Sequence, residues 1–231
     1  MSDFSRYAVY YLPEDMDFVD KGAAWLGWDA IRGREVAQPG LDGLPRPVAD
    51  LTKTPGKYGL HATLKPPFRL THGQRPQDLC AAVERLAATL PPVRAETLEV
   101  AALGHFIALR AVGDQSALGR LAGALVTELD HFRAPPGPED LARRRAAGLT
   151  AQQEALLLRW GYPYVLEEFR FHITLTGRVG PDELADVRAV LAAHLGALPA
   201  PFVIRDIAVA GERPDGRFQQ IRRYTLNGPW A

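Results

Sequence analysis

The sequence predicts an α+β fold with two mainly antiparallel sheets flanked by helices and a central cleft. Two observations carry that expectation. A His-x-Thr-Leu segment occurs twice, HATL at 61–64 and HITL at 172–175, about half the chain apart. Each copy is followed by a Pro-led amphipathic run and then two β-type runs, so the chain reads as a degenerate duplication. Strand, helix, strand, strand is an order that favours antiparallel sheets backed by helices.

The elements follow in order. RYAVYYL (6–12) is β-rich and closes on Pro13, which predicts an opening strand. A short helix over about 17–28 comes next. From 32 to 57 Gly, Pro and Asp dominate, which predicts a long irregular connection, a kind often functional. GLHATLKPPFRL (59–70) holds the first motif, PQDLCAAVERLAATL (76–90) a helix, TLEVAAL (97–103) and HFIALRAV (105–112) two strands, and 115–131 a second helix. The stretch 134–163 reads as an insert of two short helices bracketed by prolines, with the Arg run at 143–145 on a solvated face. FRFHITLTGRV (169–179) is the second motif strand, 181–195 a helix opened by Pro181, and 202–212 and 216–226 two closing strands. Residues 1–231 are thus expected to form one unit, with pseudo-repeats at about 57–131 and 169–226.

The 231 residues carry 27 Lys+Arg against 27 Asp+Glu, a formal net charge of zero. Bulk attraction to long nucleic acid or anionic membrane, which needs clustered excess cations, is therefore not expected. With 47% hydrophobic and 23% charged residues the composition is that of a folded protein. Cys80 is the single cysteine, so no internal disulfide can form and no multi-thiolate zinc site is available. The first residues are acidic where an export signal is basic, and no run approaches the roughly 20 apolar residues of a membrane span. A cytoplasmic protein is the expectation.

Strand side chains alternate between faces. His61 and Thr63 therefore point one way while Leu60, Ala62 and Leu64 point the other; His172 and Thr174 oppose Phe171, Ile173 and Leu175 likewise. The apolar faces suit packing under helices and the polar faces are free to line a cleft. A lone His-x-Thr strand would read as structural hydrogen bonding. The mirrored second copy turns both towards chemistry. Near neutrality one imidazole can accept a proton while a charged partner donates one, and two hydroxyls can bind oxygens whose charge grows at a phosphorus centre. No metal or cofactor is needed. Two imidazoles with no carboxylate at ligand spacing do not make a metal site. His72, His105, His131 and His194 lack a repeated partner and read as surface or structural.

The paired motifs, within KYGLHATLKPPF (57–68) and FRFHITLTG (169–177), resemble the two-histidine (2H) phosphoesterase superfamily, and within it the uncharacterised branch found with phosphonate-degradation operons. The resemblance covers essentially the whole chain. It implies a bilobal fold with the cleft between the lobes, one lobe carrying both termini, and a cyclic phosphodiesterase activity on a small phosphorylated metabolite or nucleotide. Catalytic roles fall on His61, His172, Thr63 and Thr174. Candidate phosphate or substrate contacts are Lys57, Tyr58, Lys65, Arg170 and Tyr7, with Arg6, Gln219 and Arg222 on the outer strands. Lys65 has the parity of His61 if its strand stays regular through Pro66, and Arg170 has the parity of His172. The alternative is a phospho-ligand sensor without turnover.

Overall fold

The structure is a computed structural model in which residues 4–146 and 148–229 are described. Strand β1 (Tyr7–Tyr11) leads to helix α1 (Asp17–Leu26), which ends where Gly27 adopts a left-handed φ of 73°. The expected irregular connection is partly ordered. It holds a two-stranded ribbon, β2 (Trp28–Asp29) and β3 (Arg34–Glu35), then α2 (Val48–Thr52) and a 3-10 turn at Pro55–Lys57. The first repeat follows as β4 (Ala62–Phe68), α3 (Pro76–Ala87), β5 (Val93–Ala95), β6 (Thr97–Leu103), β7 (Phe106–Val112) and α4 (Ser116–Glu128). The insert forms α5 (Pro138–Arg145) and α6 (Ala151–Trp160), the latter opened by a Thr150/Gln153 capping box. The second repeat is β8 (His172–Thr174), α7 (Leu184–Leu195), β9 (Phe202–Ile204), β10 (Asp206–Glu212) and β11 (Phe218–Thr225).

The architecture is α+β, with antiparallel pairing throughout the described sheets. The two expected sheets are joined edge to edge into seven strands, in the order β11-β10-β1-β4-β8-β7-β6. The joint is the β4–β8 pair, with Ala62 opposite Ile173. Each motif strand lies against strands encoded with the other repeat: β8 on β7 and β6, and β4, through β1, on β10 and β11. The chain's first and last strands share one half of this sheet. β5 and β9, one from each repeat, form a separate ribbon.

One face of the sheet carries the main core. Val9, Leu64, Ile173 and Leu175 pack there with Phe18 and Trp25 of α1, Leu79 and Val83 of α3, Leu121 and Leu125 of α4, and Val187 and Leu191 of α7. The Trp25 indole N–H donates to the Leu175 carbonyl at 2.7 Å, tying α1 to the end of the second motif. On the opposite face Ala8, Tyr10 and Leu12 meet Trp28, Ala208, Ala210 and Phe218 in a smaller cluster. That cluster covers the outer strands and includes no residue of the motif strands. No described helix is long and apolar enough to cross a membrane.

The second motif strand is much shorter than the expected 169–179. The amides of Leu175 and Thr176 both donate to the Ile107 carbonyl, and Gly177 then donates to Leu51 of α2. Two donors on one acceptor end the regular ladder.

Candidate active site

With Ala62 opposite Ile173 in antiparallel register, His61 falls beside Thr174 and Thr63 beside His172. An approximate twofold axis passes between Ala62 and Ile173, and all four polar side chains emerge on the face those two residues turn away from. Directly opposed residues on one face have Cβ atoms about 5 Å apart. The two His-x-Thr segments thus bring two imidazoles and two hydroxyls together on one face.

Each ring is held in the same way. His61 Nδ1 lies 2.9 Å from the Gly59 carbonyl, and His172 Nδ1 lies 2.8 Å from the Arg170 carbonyl. A carbonyl only accepts, so Nδ1 carries the hydrogen in both rings and Nε2 is left to face a ligand. Gly59 is needed for this: its φ is 70°, and a Cβ there would come within 2.9 Å of Ala30. His61 Nε2 is 3.2 Å from the Thr63 hydroxyl, which can donate to it.

The environments then diverge. His61 is 8% exposed, covered by the Tyr10 ring at 4.2 Å and flanked by Tyr58 at 5.6 Å. Burial pulls its pKa from 6.5 down to about 4; the hydrogen bond to Gly59 opposes this and the neighbouring His172 adds to it. His172 is half-buried, with Phe106 at 5.7 Å. The register explains the difference. Tyr10 stands opposite Thr63, while its counterpart opposite Thr174 is Ala108, which has no ring to lay over the second site. Burial therefore holds His61 neutral, and His172 is the more solvated of the two rings.

The other candidates separate. Tyr58 joins the site, stacked on Phe218 with centroids 5.1 Å apart. Lys65 does not. On β1 Val9 and Tyr10 are adjacent, yet their partners on β4 are Lys65 and Thr63, so Leu64 is an extra residue in a β-bulge. The bulge breaks the parity and turns Lys65 to the helix side with Val9. There it is 2% exposed, donates to the Val126 carbonyl at 3.0 Å and lies 3.9 Å from Asp130. Burial lowers its pKa to about 8. Tyr7 is likewise corrected to the helix-side core, because it alternates with Tyr10 along β1. Lys57 is exposed and lines a separate surface cavity with Lys53 and Arg217. The Arg170 guanidinium folds back onto the carbonyls of Glu167 and Phe169, and only its main chain serves the site. Arg222 pairs with Glu84 and Gln219 with Arg213, while Arg6 binds Glu212 at 2.5 Å.

Two neighbours of the site were not among the sequence candidates. Tyr10 covers His61, and its buried hydroxyl has no hydrogen-bond partner. Arg110 stands opposite His172 on β7, ion-paired with Glu99. Alternation in RYAVYYL separates Tyr10 from Tyr7, but only the pairing with β4 shows which of the two meets the histidine. Arg110 depends on the β7–β8 register, which no motif encodes.

Beside this cluster lies a cavity of about 740 Å³ walled by Arg6, Tyr58, Arg69, Arg133, Arg143 and Arg144, among others. Neither imidazole is in its wall. Tyr58 is common to both. Among the described residues no group of three or more His, Cys, Asp or Glu could hold a metal ion.

Residues 63–219 match the family described as "Protein of unknown function (DUF1045)". The chain is 36% identical over 232 residues to a protein of Janthinobacterium sp. (strain Marseille) named ribose 1,5-bisphosphate phosphokinase PhnN, covering 97% of this chain and 51% of the relative. A protein of the same name from Laribacter hongkongensis (strain HLHK9) is 40% identical over 198 residues, covering 85% of this chain and 46% of the relative. The chain thus spans about half the length of the curated relatives it matches. Among solved structures, E. coli LigT complexed with NADP+ aligns at 15% identity and a TM-score of 0.49, covering 97% of this chain and 99% of that one.

Proposed function

The chain belongs to the DUF1045 family, and on the geometry of its paired motifs we propose that it is a metal-independent phosphoesterase of the two-histidine kind, hydrolysing a cyclic phosphodiester in a small phosphorylated metabolite or nucleotide. The observation that carries this reading is the Ala62–Ile173 register, by which two imidazoles and two hydroxyls share one face of the sheet.

The chemistry divides along the asymmetry of the site. His61, neutral and presenting Nε2, takes the proton of the attacking water. His172 presents Nε2–H to the leaving sugar oxygen, so one P–O bond forms, one breaks, and the proton balance closes between the two rings. Thr63 and Thr174 donate to the non-bridging oxygens, whose charge rises in the transition state. Each proton transfer contributes about 10²–10⁴-fold. Tyr58, held by Phe218, offers a flat surface for a sugar or base.

The name of the curated relatives refers to a phosphorylated ribose, and the resemblance to the phosphonate-operon branch points the same way. A ribosyl cyclic phosphate is the first substrate to try. The 231 residues contain no GxxxxGK[ST] segment, so a kinase reading of this stretch finds no P-loop phosphate cradle.

The test is hydrolysis of 2′,3′-cyclic nucleotides and ribosyl cyclic phosphates in the presence of EDTA, comparing wild type with His61→Ala and His172→Ala. Turnover that resists the chelator and drops at least about 100-fold in each variant supports the proposal. Turnover that needs added metal, or survives both substitutions, overturns it. Binding without product would mark the protein as a phospho-ligand sensor.

A further inference from the structure

The helical insert at 134–163 has no part in the chemistry above, yet it builds one wall of the arginine-lined cavity. Pro135, Gly137, Asp140, Arg143, Arg144, Leu157 and Gly161 face Arg6, Arg69 and Glu212 across it. The lining carries five guanidinium groups, from Arg6, Arg69, Arg133, Arg143 and Arg144, against the carboxylates of Asp140 and Glu212. Three of the five are already paired: Arg6 with Glu212, Arg133 with Asp130 and Arg143 with Asp140. Arg69 and Arg144 have no carboxylate within ion-pair distance among the described residues. Arg69 reaches the Ser5 carbonyl, at 3.5 Å, and feels the charge of Glu212 from beyond ion-pair distance, and Arg144 lies over the Tyr162 ring at 4.5 Å and hydrogen-bonds that side chain. A volume of about 740 Å³ suits a small metabolite.

The cavity borders the histidine site through Tyr58. Tyr58 belongs to its wall and also flanks His61, and Phe218, on which Tyr58 stacks, has the Arg6 guanidinium over its ring at 5.7 Å. The Tyr10 hydroxyl, 1% exposed as a residue and without a hydrogen-bond partner, interacts electrostatically with Arg6, Glu212, Tyr58 and Tyr162. Arg69 and Arg144, the two guanidiniums of this wall without an ion-paired carboxylate, mark ground that an anionic ligand would complete.

We propose that this cavity is a second anion subsite that takes a terminal phosphomonoester while His61 and His172 act on the phosphodiester of the same molecule. The substrate class is then a small cyclic phosphodiester bearing a separate phosphate. This rests on the phosphoesterase reading above. Arg144 and Arg69 supply the guanidinium contacts, and the insert exists to bring Arg144 to them. Long nucleic acid is disfavoured by the zero net charge.

Calorimetry on the His61→Asn protein separates the two ideas. The probes are adenosine 2′,3′-cyclic phosphate with and without a 5′-phosphate. The 5′-phosphorylated probe is expected to bind at least about tenfold more tightly, and that ratio to fall towards one in combination with Arg144→Gln or Arg69→Gln. α5 has no buried residues, so Arg144→Gln leaves the core intact. Equal affinity for the two probes, no binding of either, or a preference that both arginine variants retain overturns the subsite. Wild-type turnover is read separately. Hydrolysis of both probes at equal kcat/KM sinks the subsite and spares the phosphoesterase reading; a retained binding preference with no hydrolysis does the reverse.

Discussion

Protonation of His61 should cost the native state a measurable part of its stability. Its pKa is about 4 in the fold against 6.5 for the free side chain, and each tenfold change in proton affinity is worth about 1.4 kcal/mol. The sign follows from where the proton binds. Between pH 6.5 and 4 the unfolded chain takes up a proton that the native state refuses, so stability falls as the pH falls through this window and is fully present above it. By pH 4 the loss from this one residue is about 3 kcal/mol, a large share of the roughly 5–15 kcal/mol typical of a folded domain. Acidic groups held below their usual range, such as Glu212 beside Arg6, also lose native-state stability as the pH falls, so the effect is read as a difference. His61→Asn keeps a donor for the Gly59 carbonyl and cannot titrate. Urea unfolding followed by tryptophan fluorescence, at pH 7 and pH 4, should show wild type losing about 3 kcal/mol more than His61→Asn, with equal m-values. Equal losses in the two proteins would refute the claim that burial holds His61 neutral.

Three further outcomes are expected. On the proposed mechanism the acid limb of the pH profile for kcat/KM should lie well below pH 6.5, because burial holds the proposed base His61 neutral; an acid limb at or above pH 6.5 contradicts that role. Tyr10→Phe removes a buried hydroxyl that has no partner, so denaturant titration of the free protein should find it about 1 kcal/mol more stable, whereas a loss of that size would mean the hydroxyl is satisfied. Lys65→Met should leave kcat/KM for a cyclic phosphodiester within about threefold, since the ammonium lies against Val126 and Asp130; a loss of about 100-fold would restore Lys65 to the phosphate.

Much of this arrangement is legible in the sequence, and the exceptions have physical causes. The period-two pattern around His61 and His172 shows which residues share a face, and the repeat order shows that two such strands exist. What local pattern cannot carry is pairing. That the two sheets fuse depends on Ala62 meeting Ile173, a contact between distant residues. The bulge at Leu64 is invisible until β1 is laid against β4, and it is what removes Lys65 from the site. The short strands at Val93–Ala95 and Phe202–Ile204 pair with each other outside the main sheet, and their few residues give little alternation to read. The Arg run at 143–145 has the look of a solvated face, and α5 does bury nothing. Its ion pairs to Asp140 and Glu154 fit that reading. Arg143 and Arg144 nonetheless look into a cavity whose opposite wall comes from the far ends of the chain.

The central claim is that the Nε2 atoms of His61 and His172 address one phosphorus. A crystal of the protein grown with vanadate, which mimics a five-coordinate phosphoryl centre, tests it most directly. The account predicts one vanadate bound with both Nε2 atoms and the hydroxyls of Thr63 and Thr174 within hydrogen-bond distance. Vanadate bound to a single ring, or rings whose Nε2 atoms point to different surfaces, would contradict it.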